Sequence, residues 1–308
     1  MKYYSFDILF RLFFCIFIGL YHIRTDLNDL FFFINGYLFV DFFFITSGFY
    51  SNKIINFSLF KRYGLLILIN FGLNVMLLLY YKLNSIDFKS IDFIANTLGL
   101  SSIYSSFTKF NYVSWYLGVD YFLFFLTYLF FKFNKYYKII LLFVNIFIII
   151  VLKYNIDYII LIDNFDFTYG ISAFIRGSIC YFLGVNLRNI YTFQINKIYY
   201  FITVSILLYL SLVIANTSPI NIYIYMLFLS ICLFIIYLSN CLGVFFSSKK
   251  GIFLILSASI FFLVHPLSIK INSILFDNHE NYLYLLSFLI ISFIINIIIL
   301  RIYNHVSR

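Results

Sequence analysis

The chain has 308 residues, of which 64% are hydrophobic, 24% aromatic and only 11% charged, with a formal net charge of +9. Ordinary globular domains run to about 45–50% apolar and about 25% charged residues, so this composition argues against a conventional water-soluble enzyme and predicts a polytopic membrane protein. The surplus of Lys and Arg falls in short clusters between apolar runs, where topology accounts for it and no nucleic-acid partner is needed.

A helix needs about 20 apolar residues to cross a bilayer, within a range of about 17 to 25. On that criterion the chain predicts ten spans, at 8–24, 30–50, 60–81, 113–132, 137–153, 170–187, 198–215, 220–240, 252–275 and 282–303. Continuous apolar runs of this length exclude the alternating strands of a membrane barrel and leave an all-α bundle. Lys and Arg divide thirteen to five between alternate sides of the spans, which places both termini in the cytoplasm. No repeat or appended soluble module breaks the pattern, so residues 1–308 are expected to form one membrane domain.

The first run reads FRLFFCIFIGLYHI over residues 10–23 and carries Arg11 and His22. It follows Lys2 as a secretory signal would, but Arg11 interrupts its core and no small-residue cleavage site follows, so it is expected to be retained. Eleven residues is just over three helical turns, so Arg11 and His22 share a face and lie about 16 Å apart along it. Ionisable groups inside apolar spans cost roughly 2.5–3.5 kcal/mol each and mark functional interiors. The second run carries Asp41 at its middle and Thr46, Ser47 and Gly48 near its end, where a glycine admits close approach of a ligand or another helix. Residues 82–112 make one long connection whose Ile86, Phe88, Ile91, Phe93 and Ile94 suggest an interfacial or re-entrant segment. Later runs add Asp120 after Trp115, Arg176, and His265 before Pro266. Cys15, Cys180, Cys232 and Cys241 lack metal-ligand spacing and read as small buried hydrophobes, with no disulfide and no metal site expected.

These residues carry a resemblance. Arg11 and His22; Gly36, Val40, Asp41, Phe43, Phe44, Ser47, Gly48 and Phe49; Phe60, Lys61 and Arg62; Trp115, Leu117 and Asp120; Arg176, Phe182 and Gly184; and Ser259, Leu263, His265 and Pro266 resemble the bacterial integral-membrane acyltransferase-3 family. The chain departs from that pattern where Tyr63, Gly64, Leu65 and Leu66 replace a second arginine and a proline, and where Asp120 stands for a glutamate. The resemblance implies a multi-pass protein of the bacterial cytoplasmic membrane, embedded in lipid, that moves an acyl group, usually acetyl, from cytoplasmic acyl-CoA to a hydroxyl of an extracytoplasmic carbohydrate. Polysaccharide O-acetylation in the cell envelope is its usual setting. Acyl-CoA is then a substrate, no cofactor is bound, and a separate envelope partner stands in for the hydrolase-like domain that many members append.

In that scheme His22 is the general base and Asp41 orients it or pairs with Arg11, while Arg11, Ser47, Gly48 and Arg62 contact the acyl donor. Trp115, Asp120, Arg176 and His265 are supporting polar groups. A neutral imidazole, with an ordinary pKa of about 6.5, suits removal of a hydroxyl proton, and a guanidinium suits CoA phosphates. Ser47 as a nucleophile is disfavoured because it falls at the opposite end of the bundle from His22. The rival readings are a transporter or flippase for lipid-linked sugars, which predicts paired broken helices in two repeated halves, and a structural membrane subunit, which needs no buried His and Arg.

Overall fold

The computed structural model describes residues 7–23, 38–51, 57–87, 90–100, 111, 113–132, 174, 177, 178, 180–182, 184, 185, 235, 236, 248–275 and 282–306. Among them are seven α-helices: α1 (Asp7–Ile23), α2 (Leu38–Ser51), α3 (Phe57–Leu83), α4 (Ser90–Thr97), α5 (Ser114–Lys132), α6 (Ser248–Leu275) and α7 (Tyr282–Val306). The fold is all-α, with no strand among the described residues.

The expectation of a ten-span membrane bundle is corrected. Two helical stretches among the described residues are long and apolar enough to cross a membrane, Tyr63–Leu83 and Leu256–Leu275. The other apolar stretches, Leu9–Leu20 and Leu286–Arg301, are shorter. An apolar run serves equally as a helix buried by its neighbours, and even the candidate stretch Leu256–Leu275 is 61% buried in that way. The multi-pass inner-membrane location and the lipid bilayer as partner fall with the ten-span bundle. The expected spans at 137–153 and 198–215 lie outside the described residues, as do most of 170–187 and 220–240.

α6 is the hub, packing on α1, α3 and α7, while α2 joins α1 to α5 and α4 bridges α3 and α5. On the first side a core forms from Phe14, Ile18, Phe42, Phe44, Ile45, Leu123 and Phe261. On the second, Tyr63, Leu66, Leu77, Leu117, Ile260 and Leu263 close together. Fully burying one such aliphatic or aromatic side chain is worth about 1.5–3 kcal/mol, so these two clusters supply the main drive for association.

Small residues set how close the helices come. Gly48 of α2 faces the Tyr181 carbonyl and Gly184 faces the Ile45 carbonyl, and a Cβ at either would collide with backbone. Gly99 holds φ at +72° and sits against Gly118 of α5. α3 ends where the Ile86 amide donates to the Tyr81 carbonyl (2.9 Å) and the Ser85 amide to the Lys82 carbonyl (3.2 Å), with Ser85 at φ 53°. That is the paired hydrogen-bond cap of a helix C-terminus, with a serine where glycine is usual.

α4 differs from the expected interfacial segment in a physical respect. Its Asp92, Ala95 and Asn96 are buried, while Ile91 and Ile94 are exposed at 45% and 50%. The polar edge is the anchored one, because amide side chains take up the backbone groups at its end. Asn70 of α3 donates to the Asn96 carbonyl (2.7 Å) and the Thr97 carbonyl (3.2 Å). Asn74 donates to Thr97 Oγ1 (3.2 Å), Ser114 donates to Asn96 Oδ1 (3.1 Å), and Asn111 donates to Asn70 Oδ1 (3.2 Å).

Candidate active site

α1 and α6 run parallel in fixed register. The Cys15 thiol donates to the Ala258 carbonyl at 3.1 Å, and seven residues further along each helix His22 lies on His265. Seven residues is nearly two full turns, so the second contact falls on the same helix seam as the first. Cys15 and Ala258 are small enough to let the backbones approach, and Gly19 between them and the histidines leaves room for the Phe288 ring of α7, which a Cβ would meet at 2.9 Å.

The two imidazoles stack with ring centroids 5.3 Å apart and planes 14° from parallel. Phe262 closes one side of His265, ring to ring at 5.7 Å and 69°. His265 is fully buried, whereas His22 keeps partial exposure. Burial pushes the His22 pKa down to about 3, because imidazolium loses its hydration there. His22 is thus a neutral imidazole at neutral pH, with a ring nitrogen lone pair able to accept a proton.

The remaining sequence-predicted residues distribute around this pair. Arg11 is buried at 8% exposure three turns earlier on α1, where its charge reaches Cys15. Burial nonetheless raises the Cys15 thiol, so it is no ready thiolate nucleophile. Asp41, 1% exposed, lies in the first turn of α2. The stacking of Phe14 on Phe39 (4.8 Å) and its edge contact with Phe42 (4.9 Å) set that turn beside the middle of α1, roughly two turns before His22. Ser47 is partly buried, and the approach that Gly48 permits is made by the Tyr181 backbone. Arg62 belongs to α3, but its side chain lies outside the described residues, and Arg176 lies outside them altogether.

Trp115 and Asp120 sit on α5, whose Tyr116 packs on Phe262, the ring beside His265. Trp115 packs on Phe44 at 5.8 Å. Asp120 accepts a 2.6 Å hydrogen bond from the Tyr63 hydroxyl, a buried phenol–carboxylate contact that ties α3 to α5. The sequence reading missed the asparagine network entirely. Its one signal was Asn70 and Asn74 spaced four apart within the apolar run of α3, which puts both amides on one helix face. Asn111 extends that network to α6 by donating to the Leu263 carbonyl at 3.0 Å, two residues before His265.

Among the described residues no group of three or more His, Cys, Asp or Glu side chains is arranged to hold a metal. No family model, no curated protein and no solved structure matches this chain. The resemblance to the acyltransferase-3 family is corrected accordingly: the second-run motif is matched by no family model, and two candidate spans among the described residues do not make the family's bundle. The cross-membrane transfer to an extracytoplasmic carbohydrate, polysaccharide modification in the envelope, and the flippase alternative all required that bundle, and they fall with it.

Proposed function

We propose that the chain is an acyltransferase whose chemistry centres on the His22–His265 pair, with an acyl-CoA thioester as donor and a hydroxyl compound as acceptor. The observation that supports this reading is the parallel stack of two imidazoles drawn from helices 243 positions apart. Hydrophobic packing has no use for two such rings in one seam, since each brings polar nitrogens that cost free energy to bury.

In the proposed step, His22 accepts the proton of the acceptor hydroxyl as its oxygen attacks the thioester carbonyl. The C–O bond forms, the C–S bond breaks, and the imidazolium returns its proton to the departing CoA thiolate. Negative charge growing on the attacking oxygen favours imidazolium beside it, offsetting the desolvation that keeps the ring neutral at rest. Arg11 is assigned to donor phosphates, for which a guanidinium offers paired hydrogen bonds, and Asp41 balances charge between Arg11 and His22. Arg62 and Ser47 retain their proposed place at the donor, whereas the space at Gly48 is taken by the Tyr181 backbone.

The test is release of CoA thiol by the purified full-length chain supplied with acetyl-CoA and a panel of hydroxyl acceptors. His22→Gln is expected to slow release by about 100-fold or more, the usual scale of general-base catalysis. An inactive wild-type protein across the panel, or a His22→Gln variant as fast as wild type, removes the reading.

A further inference from the structure

Gly19 leaves α1 without a side chain one turn before His22, since residues three apart are neighbours on a helix surface. The gap is taken by one ring from α7. A Cβ on Gly19 would meet Phe288 Cζ at 2.9 Å and Cε1 at 3.3 Å, so this phenyl group lies directly against the helix backbone. Phe288 is 0% exposed and forms an apolar cluster with Ile23, against which Leu20, Ile269 and Leu289 pack. Leu20 and Ile23 bracket His22 on α1, and Ile269 stands one turn beyond His265 on α6, so Phe288 occupies the apolar layer next to both imidazoles. α7 is pinned at this level, because the Ser287 hydroxyl donates to Asn272 Oδ1 of α6 at 2.6 Å. The other side of the pair is closed differently. There Phe262 meets His265 and is itself wedged by the rings of Tyr116 (5.2 Å) and Phe43 (6.0 Å), so no single side chain shuts it.

We propose that Phe288 is the specificity-determining residue for the acyl group: its ring closes the slot beside Gly19 and thereby limits the donor to short acyl chains. This deepens, and rests on, the reading of the imidazole pair as an acyl-transfer centre. As His22 takes the acceptor proton, the thioester carbonyl lies within reach of the attacking oxygen, and the acyl tail extends from that carbonyl on the side away from sulfur. Such a tail is apolar and gains by burial at each methylene. With the phenyl group in place, close packing among Leu20, Ile23, Ile269 and Leu289 leaves the tail no room to enter. An acetyl methyl needs none. Because Gly19 contributes only backbone there, loss of the one ring opens a slot with apolar walls beside both histidines.

The experiment measures donor selectivity in the full-length protein, as the ratio of kcat/KM for octanoyl-CoA to that for acetyl-CoA, read by release of CoA thiol. A ratio does not depend on how much of the protein is folded, so a merely structural role for Phe288 leaves it unmoved. Wild type is expected to prefer acetyl-CoA. Phe288→Ala should raise the octanoyl-to-acetyl ratio by about tenfold or more, the scale on which an apolar pocket discriminates by a methylene. Phe288→Leu keeps more of the core filled, should give an intermediate ratio, and decides the matter if the alanine variant fails to fold. Toluene matches the lost ring, and apolar cavities of this kind take up such molecules, so it should suppress octanoyl transfer by Phe288→Ala while sparing acetyl transfer. A wild type that uses both donors equally overturns the proposal, as does a ratio unchanged in both variants. A wild type inert toward both donors sinks the acyltransferase reading and the selectivity with it. In that event a toluene-induced rise in Tm confined to Phe288→Ala still establishes that the ring alone closes the slot, and equal rises in variant and wild type refute it.

Discussion

His22 shows how one side chain couples chemistry to stability. Burial lowers its pKa from 6.5 to about 3, so between those values the unfolded chain binds a proton that the folded chain excludes. Stability is therefore complete above about pH 6.5 and declines as the pH falls toward 3. His22→Gln removes this term, so thermal unfolding followed from pH 7 to pH 4 should show a shallower decline in the variant than in wild type. Equal slopes would mean that the imidazole is not held neutral by its surroundings. Ser85 makes a second prediction at this scale. Its φ of 53° places a side chain in the left-handed region that only glycine occupies without penalty. Ser85→Gly should stabilise the fold by about 1 kcal/mol, read as a rise in Tm, because it relieves strain without touching any packed surface.

At the level of elements, α4 is attached through amide hydrogen bonds more than through apolar burial. Asn70 meets two carbonyls at the C-terminal end of α4 and accepts from Asn111. Asn70→Leu keeps the volume but strands those groups, at a cost of about 1–3 kcal/mol. Hydrogen exchange should then accelerate across Ser90–Thr97 while amides of α6 keep their protection. Uniform loss of protection along the chain would show instead that the network supports the whole fold. Gly99→Ala tests the same junction from the other side, since its Cβ would lie 2.7 Å from the Gly118 Cα at a φ of +72°. The asparagines escaped the sequence reading because an amide in an apolar run has no preferred partner until the fold supplies one. Asn111 and Leu263 are 152 positions apart, and no local pattern announces their hydrogen bond.

For the molecule as a whole, the register between α1 and α6 decides whether there is a site. The Cys15–Ala258 contact and the His22–His265 stack share one offset, so a disturbance at the first propagates to the second along rigid helices. Ala258→Leu should overpack this seam by about 1–3 kcal/mol and lower CoA release although residue 258 lies two turns from His265. Wild-type turnover in a measurably destabilised Ala258→Leu protein would uncouple register from activity. The whole-molecule reading also changed most between sequence and structure. Ten apolar runs suggested ten membrane spans, but a run length measures hydrophobicity and not what covers it. α1 and α2 form helices in the first two apolar runs, and much of their surface is spent on each other and on α6.

The sequence by itself determined that the described elements are helical, because apolar runs of this length exceed those of ordinary strands. It also singled out Arg11, His22, Asp41, Asp120 and His265, because charged and imidazole groups stand out against an apolar background. Which of these belong together was decided only by tertiary structure. Periodicity places a residue on a face of its own helix and says nothing of the helix opposite. His22 met His265 and Asp120 met Tyr63 through the packing of their helices, an outcome set by the shape of the whole core.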